Sequence, residues 1–287
     1  MKNIFYFLLI TTLFFSCKSN TKQTVKDSTR TIKPIVDTTL RLIQRFKSNI
    51  QGVWVYKDYI DAVAKSKSPF LAFKDVGNIT AMVIDTKAIK GDSLLVGIGY
   101  GNHEGGDLMI KFHSGSNNTI IAYNPGTNPN DGHYELGYSI NKSDTALILY
   151  TINKEKKTTE QAKYSKVLTI GATKELGDGT DYIINKILIS GSYILTDTLS
   201  NKSKVKFTND GKVVGFSDFK TYLINNDFTT PPGNNMDQII FDLKSKNKKI
   251  YAFKIDRDTL NLYQTSYGKD SIDLILGKRI YKLIKQK

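Results

Sequence analysis

Cysteine occurs once in the 287 residues and histidine three times. An internal disulfide framework and a cysteine-based zinc cluster are thereby excluded, and a histidine-rich metal site has little to be built from. Long apolar runs are also scarce. The longest, Ile4–Phe15, is too short to span a bilayer as a stable anchor. Acidic residues are outnumbered, 27 against 41 lysines and arginines, for a formal charge of +14. The hydrophobic fraction of 40% is enough to build real cores, which excludes full disorder, and the length suits one large or two ordinary domains.

The short basic start Met1-Lys2-Asn3, the run Ile4–Phe15 and a small residue at Ser16 have the form of a signal peptide over residues 1–16. Leu13-Phe14-Phe15-Ser16-Cys17 resembles the lipobox of bacterial lipoproteins, with Phe14 where that family usually has an aliphatic residue. The resemblance implies that Cys17 is lipidated and becomes the first mature residue, so that acyl chains tether the protein to a membrane. Lys18 stands where an aspartate would signal inner-membrane retention, which points to the outer membrane and its periplasmic leaflet. Residues 17–46 then read as a lipidated flexible tether, rich in Lys, Thr and Ser. Near its end, Leu40, Leu42, Ile43 and Phe46 are spaced for a short helix over 38–50 that docks on the first domain.

Beyond Ile50 the pattern is that of an antiparallel all-β fold. Leu94, Val96, Ile98 and Tyr100 alternate with glycine at 97 and 99, Leu108, Ile110 and Phe112 alternate with polar residues, and so do Tyr134, Leu136, Tyr138 and Ile140. Asn-Asp-Gly at 130–132 and again at 209–211 suits tight turns. Asp58–Lys65 is the helical interruption, with Tyr59, Ile60 and Val63 on one face and Ser68-Pro69 ending it.

The chain also resembles itself. Gly52-Val53-Trp54 lines up with Gly191-Ser192-Tyr193, Asp144–Tyr150 with Asp258–Tyr263, and Lys163–Leu168 with Arg279–Ile284. The glycine-X-aromatic opening strand, the sequential strands and the closing strand are similar to those of lipocalin-like β-barrels in bacterial lipoproteins. That resemblance implies two such barrels in tandem, residues 47–172 and 183–287. A barrel of about eight strands either fills with side chains or holds one small ligand. The glycine-rich stretch 171–180 marks the boundary.

Chemistry is harder to find. His103 lies in the loop Gly101–Asp107, within which Gly105-Gly106-Asp107 reads as a turn, and His113 ends the following strand. Roughly 33 Å of extended chain therefore separates the two, at about 3.3 Å per residue, and a metal site shared with His133 is not expected. No nucleophile elbow, P-loop, dinucleotide fingerprint or His-Glu-X-X-His motif is present. No catalytic residue and no cofactor is assigned. The positive charge is spread along the chain, which argues against nucleic acid as a partner; Lys244–Lys249 reads as a solvated hairpin turn. The glycines at 97, 99 and 137 leave room on strand faces, and Trp54, Tyr100, Tyr123 and Tyr138 are the candidate lining of a cavity in the first barrel. The expectation is a membrane-tethered, non-enzymatic module that binds a small apolar or amphiphilic ligand. The alternative is a structural envelope protein that docks a protein partner.

Overall fold

Leu42, Phe46 and Ile50 recur every four residues, so a helix over this stretch carries one apolar stripe. Thr38–Ile50 forms helix α1 and buries all three, while Leu40 is left facing water. The computed structural model describes residues 38–287 apart from 117, 143, 173–174, 197–200, 217–218, 230–232, 234, 270 and 287. The leader, Cys17 and the tether as far as residue 37 lie outside the described residues, and α1 begins inside the stretch read as tether. Among the described residues no helix is long and apolar enough to cross a membrane.

One residue after α1 the strands begin. β1 (Gly52–Tyr56), β2 (Ile79–Ile84), β3 (Ser93–Tyr100), β4 (Glu104–Ser114), β5 (Ile120–Tyr123), β6 (Gly132–Asn141), β7 (Asp144–Asn153) and β8 (Thr158–Leu168) run antiparallel in chain order. β8 returns to β1 and closes an eight-stranded barrel, which leaves that sheet no free edge. Gly105-Gly106-Asp107 lies inside β4 rather than in a turn, because it pairs residue for residue with Gly97–Gly99 of β3. Inward positions are filled: Trp54, Met82, Ile98, Phe112, Leu136 and Leu147 are all fully buried in one apolar cluster. Helix α1 stops the end of the barrel at which β1 starts. Phe46 meets Tyr138 edge-on at 5.2 Å, Arg45 donates to the Asn118 carbonyl of the β4–β5 loop at 2.9 Å, and Trp54 Nε1 donates to the Ile50 carbonyl at 2.7 Å.

Between β1 and β2 the chain leaves the barrel as α2 (Lys57–Ser66) and the single turn α3 (Pro69–Ala72). Ser68 caps α3 by accepting from Leu71 N, with Pro69 at its first position. After β8, helix α4 (Asp178–Leu188) leads into a second sheet through Gly191. Tyr59, Ile60 and Val63 of α2 share one buried cluster with Ile184 and Leu188 of α4 and with the apolar face of that sheet. The two halves therefore have a common core.

The second sheet comprises β9 (Gly191–Thr196), β10 (Lys202–Phe207), β11 (Val213–Val214), β12 (Tyr222–Ile224), β13 (Gln238–Phe241), β14 (Lys249–Asp256), β15 (Thr259–Tyr267) and β16 (Leu274–Lys285). Its order is β11-β10-β9-β16-β15-β14-β13-β12, so the first strand again pairs with the last. It is not the second closed barrel that the sequence predicts. The edges β11 and β12 touch through a single bridge, Lys212 with Thr221, where Tyr222 N donates to the Gly211 carbonyl at 2.7 Å. β11 is only two residues long because Gly215, at φ +79°, turns the chain off the ladder immediately after it.

One local arrangement occurs in both halves. Gly52 and Gly191 sit at φ +141° and +140°. The aromatic two residues on donates to the carbonyl four residues before it, Trp54 to Ile50 and Tyr193 to Ile189, each at 2.7 Å. A lysine of the closing strand pairs with that aromatic and lies over its ring, Lys166 on Trp54 at 5.7 Å and Lys285 on Tyr193 at 5.8 Å. The lysine stem also occupies the space where a Cβ at either glycine would stand.

Candidate functional site

Because β1 rises away from α1, its last inward residue, Tyr56, marks the opposite end of the barrel. Parity brings Tyr100 of β3, Tyr134 of β6 and Tyr164 of β8 to the same end. The Tyr56 and Tyr164 rings are 5.8 Å apart. Tyr164 donates to the Ile79 carbonyl at 2.9 Å, Tyr56 to Asp58 at 3.2 Å, and Tyr100 to Asn124 Oδ1 at 3.2 Å. Gly106 is what allows Tyr100 to lie flat across β4, since a Cβ there would stand 2.6 Å from its ring.

Burial raises all four phenols above the ordinary tyrosine range, and the Glu160 carboxylate adds to this for Tyr56, Tyr134 and Tyr164. The four are neutral hydrogen-bonding groups at neutral pH. Three of them, Tyr56, Tyr134 and Tyr164, line a pocket of about 110 Å³ whose apolar wall is Ile79, Leu149 and Ala162. Tyr134 and Thr151 are shared with a wider cleft of about 560 Å³ at the rim, under the β5–β6 loop, to which Tyr123, Asn128, Asp131 and Asn153 contribute.

The four aromatics expected to line a cavity are not brought together. Trp54 is fully buried in the bore near α1, and Tyr138 packs on Phe46 at the stopped end. Tyr100 and Tyr123 are at the open end, one in the mouth and one on the rim. The glycines open no cavity in the bore; Gly99 and Gly105 instead help to line an outer pocket of about 220 Å³ with Thr80, Asn102, Leu176 and Thr180. Gly97, Gly99 and Gly105 face outward, and Leu176 lies over them: a Cβ at each would stand 3.9, 3.7 and 3.6 Å from its methyls. Gly137 is covered by Thr119 and Tyr150. Tyr56, Tyr134, Tyr164 and Glu160 were not singled out by the sequence. The usable signal was their place at the ends of inward-facing strand positions, since only there does a side chain in a filled barrel reach solvent.

The histidines occupy three separate places. His103, at the β3–β4 turn, pairs with Asp227 of the second half at 2.7 Å, and this partner raises its pKa. His113, at the far end of β4, pairs with Asp92 at 2.8 Å. Asp92 is held well below the usual carboxylate range by hydrogen bonds from Ser93 and then Lys111. His133 donates to the Pro129 carbonyl at 3.1 Å. Beside it, the buried Glu135 accepts from Ser116 N and from the Ser116 and Thr119 hydroxyls. Burial pushes Glu135 up, but these donors outweigh it and hold the carboxylate below its ordinary range. Among the described residues no three His, Cys, Asp or Glu are placed to hold a metal ion.

At the junction of the halves, Asn102 donates to the Asn226 carbonyl at 3.3 Å, and Asn226 donates to Asp181 at 2.7 Å. Burial pushes Asp181 up to about 6. Comparison with protein-family models and with curated proteins finds no match to the chain.

Proposed function

We propose that the chain is a non-enzymatic binding module of the cell envelope, tethered to the outer membrane through acyl chains on Cys17 and facing the periplasm. In this reading its halves are lipocalin-like units in tandem, and its ligand is a small amphiphile held at the open mouth of the first. The asymmetry of the barrel carries the binding reading. The bore is filled and α1 stops one end, while the other end keeps a tyrosine-lined pocket that opens on a rim cleft. A volume of about 560 Å³ lies within the range of small-molecule sites, whereas about 110 Å³ takes only a short apolar portion. The apolar part would meet Ile79, Leu149 and Ala162, with the polar part in the cleft. The tandem reading is supported by the matching glycine, aromatic and lysine positions of the two halves. It is also supported by the seventh strand of each, where Asp144–Tyr150 and Asp258–Tyr263 fall in β7 and at the start of β15.

Octyl glucoside titrated into the full chain should bind saturably. Ala162→Phe fills the inner pocket from its own wall and should weaken that binding about tenfold or more, with the far-UV circular dichroism unchanged. Equal binding by the variant would refute the mouth as the site. For the anchor, Cys17→Ser should move the protein from the membrane to the soluble fraction; retention in the membrane would refute it.

A second reading, a structural envelope protein that docks a protein partner, has one observation in its favour. The β15–β16 hairpin carries Tyr267, Ile272 and Ile275 at 57%, 51% and 54% exposure. Tyr267 pairs with Leu274 and Ile275 with Ser266, so the hairpin exposes apolar side chains on both faces, and such surface is what a partner covers. Ile272→Ser with Ile275→Ser should abolish co-purification of a stoichiometric protein from solubilised membranes; unchanged recovery would count against this reading.

A further inference from the structure

The chemistry of the mouth points to what the ligand's polar portion must be. The chain has 41 lysines and arginines, yet among the described residues none lines either the inner pocket or the rim cleft. The lysines of the β7–β8 turn, residues 154, 156 and 157, are exposed beside the cleft without forming its wall. Two carboxylates do contribute, Asp131 to the cleft and Glu160 to the pocket. An anionic headgroup, whether phosphate or carboxylate, would find His133 as the one basic side chain of the described wall, with its ring nitrogens already facing the Pro129 carbonyl at 3.1 Å and Glu135 at 3.8 Å, and would face two like charges. An extended acyl chain fares no better, because among the described residues Ile152 is the only aliphatic side chain of the cleft wall.

What the cleft does offer is amides, hydroxyls and aromatic faces. Asn124, Asn128 and Asn153 supply planar amides; Thr127, Thr151 and Thr159 supply hydroxyls. Tyr123 and Tyr134 add two half-buried rings, apolar on the face and polar at the tip. Some of this polarity is already fixed by the fold. Asn124 Oδ1 accepts from Tyr100, Asn128 Oδ1 from Asn130 N, and Asn153 Oδ1 from Lys157 N. These bonds engage the amide oxygens and orient the three groups; Asn124 also donates to the Tyr134 hydroxyl, so the NH₂ ends of Asn128 and Asn153 are the donors left to a ligand.

A neutral, polyhydroxylated ring matches this arrangement. Its C–H faces lie against tyrosine, its hydroxyls exchange hydrogen bonds with amides and threonines, and it brings no charge to be neutralised. We infer that the rim cleft between the β5–β6 loop and the β7–β8 turn is a saccharide site, which takes a neutral sugar or the sugar headgroup of a glycolipid. The inference rests on the mouth being the binding site and names the class of ligand held there.

The test uses the full chain and four probes: maltotriose, the trimer of N-acetylglucosamine, octyl glucoside and decanoate, followed by calorimetry and two-dimensional NMR. At least one trisaccharide should bind saturably. Tyr123→Ala should weaken it about tenfold, and so should Thr151→Val, which keeps side-chain shape and the strand ladder while removing one hydroxyl. A pair of variants is used because loss of the Tyr123 ring could also disturb the rim; Thr151→Val does not. If decanoate binds and competes with octyl glucoside while neither trisaccharide binds, the mouth stands and the saccharide assignment falls. If no probe binds, both fall. Saccharide binding that neither substitution weakens would place the site elsewhere and overturn the inference.

Discussion

Asp181 accepts from the Asn226 amide at 2.7 Å, and desolvation pushes its carboxyl up to about 6. In the unfolded chain its pKa returns to near 3.9, so the folded state holds the proton more tightly between the two values. Stability from this group is fully present below about 4 and is lost as the pH rises to about 6. The total is about 3 kcal/mol at 1.36 kcal/mol per pKa unit. His103 acts in the same direction: raised by Asp227, it contributes below its unfolded pKa near 6.5 and loses that contribution as the pH rises through its folded value. The junction between the halves is thus stronger in mild acid. Asp181→Asn keeps the shape without the charge. Urea midpoints measured from pH 4 to 8 should show the variant more stable than the parent at pH 7, with the difference vanishing near pH 4. Parallel profiles would show that Asp181 does not titrate in this window. At the same scale, Leu176 covers three outward glycines while half-buried, so Leu176→Ala should lower stability by about 1–2 kcal/mol. Gly99→Val should do at least as much, since Leu176 and Thr80 already crowd that position. Denaturant titration of the two variants checks both.

Helix α1 separates what a sequence displays from what it conceals. Its four-residue apolar spacing was legible, its bounds matched, and its docking on the first sheet followed from the stripe. That Leu40 would point outward was not readable, because Leu40 and Leu42 look alike until the barrel end selects a face. The difference is measurable. Phe46→Ala removes a fully buried ring that packs on Tyr138 and should cost about 3–5 kcal/mol, whereas Leu40→Ala should stay within about 0.5 kcal/mol. Equal effects in thermal unfolding would mean that α1 does not stop the barrel. Helix α4 is not among the elements expected from the sequence, although Ile183, Ile184, Ile187 and Leu188 are helically spaced and Asp178 and Asp181 occupy its first turn. The glycines around it, at 171, 177 and 179, give the stretch the composition of a linker. Strand parity was readable at positions 108–112 and 134–138, but period two says only that faces alternate. It does not say that Gly97 and Gly99 would face out, or that a leucine nearly eighty residues on would cover them. Of the mouth tyrosines Tyr100 was legible, while Tyr56, Tyr134 and Tyr164 escaped for the same reason: an inward tyrosine is core or site according to how far along the barrel it sits, which is a property of the closed sheet.

At the scale of the whole molecule, the tandem pattern suggested two bodies that could stand apart, yet the cores are joined. Tyr59, Ile60 and Val63 come from between β1 and β2 of the barrel and are buried with α4 and the second sheet. Asp237 of the second half accepts from Phe70 N at 2.8 Å, and Phe228 meets Phe70 and Phe73 edge-on at 5.4 and 5.5 Å. The second sheet depends on these contacts more than the barrel does, because its own edges meet in a single bridge and leave its core open to be finished by helices. A fragment of residues 183–287 would also cut α4 within its length and lose Thr180 and Asp181 from its first turn. Burying side chains of this size contributes about 1.5–3 kcal/mol each, so the loss of Tyr59, Ile60 and Val63 alone approaches the whole stability of an ordinary domain. The full chain should therefore unfold in one calorimetric transition with matching calorimetric and van't Hoff enthalpies. The 183–287 fragment should show no cooperative transition. Residues 38–172 retain α1 and a closed sheet and should keep their fold, with the exposed face of α2 making them prone to associate. Two separate transitions in the full chain, or a cooperatively folded 183–287 fragment, would show that the halves are independent after all.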